Sequence, residues 1–167
     1  MKQIKTFLIA AIALVGVQSI NAQAPAKIAH VDVNEVMTKM PAVIDATAQL
    51  KKLSDTYTAD YKTMIDEYQG KLKKYDTEAP TVTDAVNQTR QQEVQDMQKR
   101  ISDFQESAQK DIEKKREDLM KPITDKIKAS IQKVGKAKGY QYVLNNDGLL
   151  LADGPDITAD VKKDLGF

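Results

Sequence analysis

The chain has 167 residues, with 25 basic and 24 acidic side chains, one histidine and no cysteine. Without cysteine there is no disulfide, no lipid-modified N-terminal cysteine and no thiolate metal site, and the single His30 cannot supply a histidine-based zinc site or a catalytic triad. A formal net charge of +1 excludes bulk electrostatic attraction to nucleic acid.

Lys2 and Lys5 precede the apolar run FLIAAIALVGV and then QSINAQA, the layout of a secretory signal peptide over residues 1–22. Cleavage after Ala22 suits this better than cleavage after Ala24, which would leave Pro25 beside the scissile bond. The apolar run is too short to span a hydrocarbon core of ~30 Å, so an exported protein is expected rather than an anchored one. Loss of Lys2 and Lys5 leaves 23 basic against 24 acidic side chains, a charge of −1, on a mature chain that begins at Gln23. The charge is uneven: residues 84–138 hold 13 basic and 10 acidic side chains, and residues 139–167 hold 2 and 5.

Residues 27–33, KIAHVDV, read as a short strand leading into an Asn34-capped turn of helix, with Pro41 suited to open a long helix. From there to Tyr75, apolar residues recur by threes and fours in one amphipathic stripe, and the same spacing returns between Val86 and Val134. Facing pairs such as Leu50 with Ile112, Tyr57 with Phe104, Tyr61 with Ile101, Met64 with Met97, and Tyr75 with Val86 have numbers that add to 161 or 162. The spacing therefore predicts an antiparallel hairpin that turns at Pro80 and Thr81. Pro80 cannot continue a helix, and Thr81 or Thr83 can cap the one that follows. Leu72 falls opposite Arg90, which predicts a less tightly zipped end, and Gly70 and Pro122 are candidate bending points.

After the hairpin, YQYVL and LLLA read as two strands joined through NNDG, and DITADVKKDL as a closing helix capped by Asp156 or Thr158. NNDG lacks the ligand spacing of a calcium loop and is read as a turn; the Asn87 sequon is given no role. Three short strands make too small a sheet to stand alone, and its edges need covering. Joining the sheets of several copies would hide Ile28, Val31, Val33, Tyr142, Leu144, Leu149 and Leu151, the expected oligomerisation residues. The expected fold is mainly α with a small β part: a helical arm over residues 41–138 with its tip near 77–83, on a body made of 27–40 and 139–167. No residue is singled out as catalytic, cofactor-binding or metal-binding, because a two-helix arm offers no pocket where acid, base and nucleophile converge.

The export signal, KIAHVDVNEVM, the long hairpin, KPITDKIKASIQKVGKAKGYQYVL and the final DITADVKKDL together resemble the Skp family, also called OmpH, over residues 27–165. The resemblance implies a periplasmic homotrimer whose strands form a common body, with three arms around a cavity that holds unfolded outer membrane proteins without ATP. It implies no cofactor and no nucleic-acid partner. Better-known members are strongly basic, so this near-neutral chain gives no basis for carrying over a lipopolysaccharide or membrane contact. The alternative is a structural or docking hairpin of the cell envelope, as in adaptor proteins, but those flank the hairpin with larger β-rich domains.

Overall fold

The computed structural model describes residues 26–167; the expected signal peptide at 1–22 and its cleavage point lie outside them. In chain order the elements are β1 (Ile28–Val31), α1 (Val33–Lys39), α2 (Pro41–Glu78), a 3-10 turn (Ala79–Thr81), α3 (Asp84–Ala137), β2 (Tyr142–Asn145), a second 3-10 turn (Asn146–Gly148) and α4 (Thr158–Leu165).

Local chemistry sets these boundaries. Asp32, not Asn34, caps α1: its Oδ1 accepts from the Glu35 amide at 2.7 Å, so Val33 opens a helix instead of closing a strand. Met40 is held extended before Pro41, as a residue preceding proline must be, and the chain bends there into α2. Pro41 stands at the first turn of α2, where its missing N–H costs nothing. At the far end Thr83 caps α3 by accepting from the Val86 amide. Pro122 lies inside α3 without ending it, although its ring removes one amide from the helical ladder. At 1.5 Å per residue, the 38 residues of α2 extend ~57 Å.

The sheet differs from expectation. It has two strands, β1 and β2, paired in parallel with Ile28 opposite Tyr142 and Val31 opposite Asn145. Residues 149–152 form no strand, and NNDG makes a 3-10 turn rather than a hairpin. What lies along the other edge of β1 is the chain at Pro155 to Ile157: the His30 amide donates to the Pro155 carbonyl at 2.9 Å and the Ile157 amide to the His30 carbonyl at 3.0 Å. Glycine and proline between Leu149 and this bridge supply a turn, not a strand, and the apolar run LLL alone could not reveal it.

Thus β1 is central, and Ala29, His30 and Val31 are buried. Its apolar side chains join Val36, Met40, Ala46, Ile157 and Val161 with Ile123, Ile127 and Val134 from the base of α3 in one core. Close approach of α3 to β2 depends on Gly135, where an added Cβ would stand 2.9 Å from Val143 Cγ2. Gly139, at φ 75°, then closes the helix in the left-handed conformation that glycine adopts freely. His30 Nε2 lies 2.9 Å from the Gly154 carbonyl, which can only accept, so Nε2 carries the proton. Nδ1 is left buried and unpaired, 4.0 Å from Asp156.

Ion pairs fasten the closing helix. Lys162 of α4 bonds Glu35 of α1 at 2.7 Å, and Lys39 bonds the same oxygen at 2.8 Å. These two hydrogen bonds, Lys162 first, lower the Glu35 pKa to about 2. Asp164 accepts from Lys133 at 2.5 Å and from the buried Ser130 hydroxyl at 2.8 Å, which hold its carboxyl below the usual range. The N-cap position of α4 is Ile157, not the expected Asp156 or Thr158; Asp156, one residue earlier, accepts from both the amide and the hydroxyl of Thr158 and so anchors the helix start.

Candidate functional site

Two features stand apart from the body's core: an apolar face beside the sheet and the arm. The seven expected oligomerisation residues divide between that face and the interior, and none lies on the arm. Val31 is 2% exposed and belongs to the protomer's own core, so it cannot form a subunit contact. Val33 is half-buried against that core on α1, and Leu149 is half-buried after the 3-10 turn. The remaining four, Ile28, Tyr142, Leu144 and Leu151, are exposed.

Leu150, absent from the expected set, is the most exposed of all at 108%. A strand over LLLA would place successive leucines on opposite faces. Because the segment is not a strand, no alternation applies. The outer edge of β2 pairs with no strand among the described residues, and the register partners Ile28 and Tyr142, with Leu144 two residues further on, set exposed apolar side chains on this sheet. An apolar patch beside an open edge is the kind of surface that another chain covers.

The arm has a thin interior. Ala46, at its base, is the one buried residue of α2, whereas α3 buries Met97, Ile101 and Ala108 along the shaft. Tyr57 and Phe104 meet edge to face with ring centroids 5.7 Å apart, the contact required by the expected register. Met64, Met97 and Ile101 line one small gap further out. The Tyr57 hydroxyl donates to Asp111 at 2.8 Å, which raises the Tyr57 pKa. A groove of about 380 Å³ opens along this stretch, walled by Tyr57, Tyr61, Phe104 and Ile112.

Toward the tip the seam changes from apolar to polar. The Arg90 guanidinium lies 4.6 Å above the Tyr75 ring and pairs with Glu78 at 2.5 Å. Lys71 and Tyr75 both donate to Glu93, and the Lys71 bond first, then Tyr75, lowers the Glu93 pKa. Asn87 reaches the Ala79 carbonyl at 3.1 Å across the turn. The expected weak zip at Leu72 and Arg90 is therefore a change of chemistry. Tyr75 is engaged by Arg90 and Glu93, and Val86 is left 40% exposed.

A second cleft of about 380 Å³ lies between α3 and α4, spanned by the Lys133–Asp164 and Lys138–Asp160 pairs. Among the described residues no group of three or more His, Asp or Glu side chains is placed to hold a metal ion. No helix among them is long and apolar enough to cross a membrane.

Comparison with known proteins agrees with this architecture. The family model described as "Outer membrane protein (OmpH-like)" matches residues 27–165. A curated relative, the chaperone protein Skp of Pectobacterium atrosepticum, is 24% identical over 157 residues, covering 93% of this chain and 95% of that one. A crystal structure of an OmpH-like outer membrane chaperone from Caulobacter crescentus superposes with a TM-score of 0.76 at 17% identity, covering 89% of this chain and 88% of the other. The fold, a long helical hairpin on a small β-containing body, is shared with that structure, and the chain belongs to the OmpH-like family.

Proposed function

We propose that this protein is a periplasmic holding chaperone that encloses unfolded outer membrane proteins between helical arms and works without ATP. The observation that carries the reading is the arm itself. Two helices of 38 and 54 residues pair along a single narrow seam and leave their other faces free. Such an arm has no compact core to house catalysis, but it can flex and offer many shallow contacts. An unfolded barrel protein presents alternating apolar side chains and unpaired strand edges, and must be kept from pairing before it reaches its membrane. The family membership and the chaperone relative favour the same reading. The sequence contains no P-loop of the G-x-x-x-x-G-K-[ST] type, so release relies on the client's own folding.

Enclosure needs more than one arm, and the exposed Ile28, Tyr142, Leu144, Leu150 and Leu151 are the surface through which we assemble a homotrimer. The mature chain begins after a signal peptide at 1–22 and acts in the periplasm; residues 27–40 and 139–167 form the body and 41–138 the arm. The test is aggregation of a urea-denatured outer membrane protein on dilution, followed by light scattering. The native protein should suppress it without nucleotide. Paired deletion of residues 64–70 and 91–97 removes two turns from each helix, keeps the seam in phase and shortens the arm by ~10 Å. Protection of large clients should then fall while small ones stay protected. Equal protection of all sizes by the shortened arm, with protection lost when residues 77–83 are replaced by a Gly and Ser linker, would put binding at the tip and favour a docking hairpin.

A further inference from the structure

We infer that the groove halfway along the arm is a strand-reading site: it takes one extended polypeptide segment with apolar side chains at alternate positions. This deepens the holding reading and rests on it. The floor is apolar, made by Tyr57, Phe104, Ala108 and Ile112, and of the residues lining the groove only Glu113 is charged. That low charge contrasts with the rest of the arm, where pairs such as Lys51–Asp55, Lys62–Asp66, Lys99–Asp103 and Glu106–Lys110 cover the turns around it. A groove lined by one carboxylate and otherwise uncharged disfavours an acidic segment and accepts an uncharged one.

The rim says more about the occupant. Gln105 and Gln109 stand on α3 one turn apart, exposed, and neither amide makes a hydrogen bond among the described residues. Four residues of helix rise about 6.0 Å, and two residues of extended strand span about 6.4–6.8 Å. The two amides can therefore address successive outward-facing backbone groups on one edge of a strand, each offering a donor and an acceptor. With its edge so held, the strand's alternate side chains turn together toward the floor between the tyrosines and Phe104. An amphipathic helix has no free backbone edge to offer, so the paired amides favour the extended form.

The probes are two fluorescent ten-residue peptides of one uncharged composition. In one the Tyr and Val residues alternate with Thr and Ser; in the other they fall at helical spacing. Anisotropy with the full chain should show the alternating peptide binding and the other weaker by about tenfold, the size of two hydrogen bonds lost. Gln105→Ala with Gln109→Ala should weaken the alternating peptide by about the same factor while the helical melting curve is unchanged, since both side chains are exposed. Gln109→p-benzoylphenylalanine should photocrosslink to that peptide. Equal binding of both peptides, wild-type binding by the double variant, or crosslinks only between copies of the chain would each overturn the assignment. If any of these occurs while the wild type still suppresses client aggregation, the groove falls and the holding function stands. If the wild type fails to suppress aggregation, both fall.

Discussion

One substitution made at two helix positions should change stability in opposite directions. Gly70 in α2 has nothing within 4 Å of an added Cβ, whereas the Cβ of an alanine at Gly135 in α3 would meet Val143 Cγ2 at 2.9 Å. Alanine in a helix interior gains up to ~1 kcal/mol over glycine, so Gly70→Ala should stabilise the arm by about that amount. At Gly135 the same gain is set against an overpacking cost of about 1–3 kcal/mol, because Val143 belongs to β2 and is held by the strand. The net is a loss of up to ~2 kcal/mol, or a fall of several degrees in the melting temperature at this chain length. Val143→Ala alone should cost about 1–2 kcal/mol, but it removes the clashing methyl, so the double variant should be more stable than the sum of the two predicts. Urea unfolding followed by circular dichroism measures Gly135→Ala and the cycle, and hydrogen exchange of the arm amides measures Gly70→Ala. If Gly135→Ala stabilises as Gly70→Ala does, with no coupling to Val143, then α3 does not rest on β2 as described.

Cysteines at Tyr57 and Phe104 should be joined within one chain by a short bifunctional thiol reagent, and cysteines at Tyr57 and Asp84 should not. Val31→Asp should unfold the body, because the charge enters the protomer core, while Leu151→Asp should leave a folded chain of lower native mass; the reverse would invalidate the division of the apolar residues. Glu35 has a folded pKa of about 2, below its ordinary value of 4.5, so its ion pairs stabilise the fold fully above the unfolded pKa and progressively less as pH falls from about 4.5 toward 2. Glu35→Gln should therefore lower the melting temperature at pH 7, with the difference from wild type shrinking across that window.

The helical part of this architecture was legible because a stripe of apolar residues at helical spacing has few alternative readings. The paired stripes also carried the register, which the Tyr57 and Phe104 rings realise. The body was less legible. LLLA has the composition of a strand, but what lies beside β1 is the stretch around Asp156, recognisable only from backbone bonds to His30. Asp32 and Asn34 are both good caps two residues apart, and the choice between them rests on Val33 packing toward the core. The turn falls at Ala79–Thr81 with Thr83 capping α3, as expected, but the seam beside it was less legible for a different reason. Apolar periodicity cannot register a seam closed by Arg90, Tyr75 and Glu93, although an arginine, a tyrosine and carboxylates within reach of a turn were the available signal.

The division between a thin arm and a packed body bears on how the proposed holding chaperone would let go without an energy source. Val31, Val36, Ile157 and Val161 are almost fully buried in the body, while α2 buries only Ala46. Opening or bending of the arm should therefore cost far less than unfolding the body, and in the proposed oligomer the body would keep the arms assembled while they move. In the proposed holding reading each shallow contact with a client is weak, and the grip would come from many contacts held at high effective concentration. A grip built in that way is lost stepwise. A client that begins to fold withdraws its alternating side chains one segment at a time, and each withdrawal lowers the effective concentration for the rest. Folding of the client can thus outcompete the sum of the contacts, provided that no single one is strong. A deep, fully buried pocket on the arm would defeat this, and the open, half-buried groove at Tyr57 and Phe104 is compatible with the proposed mechanism.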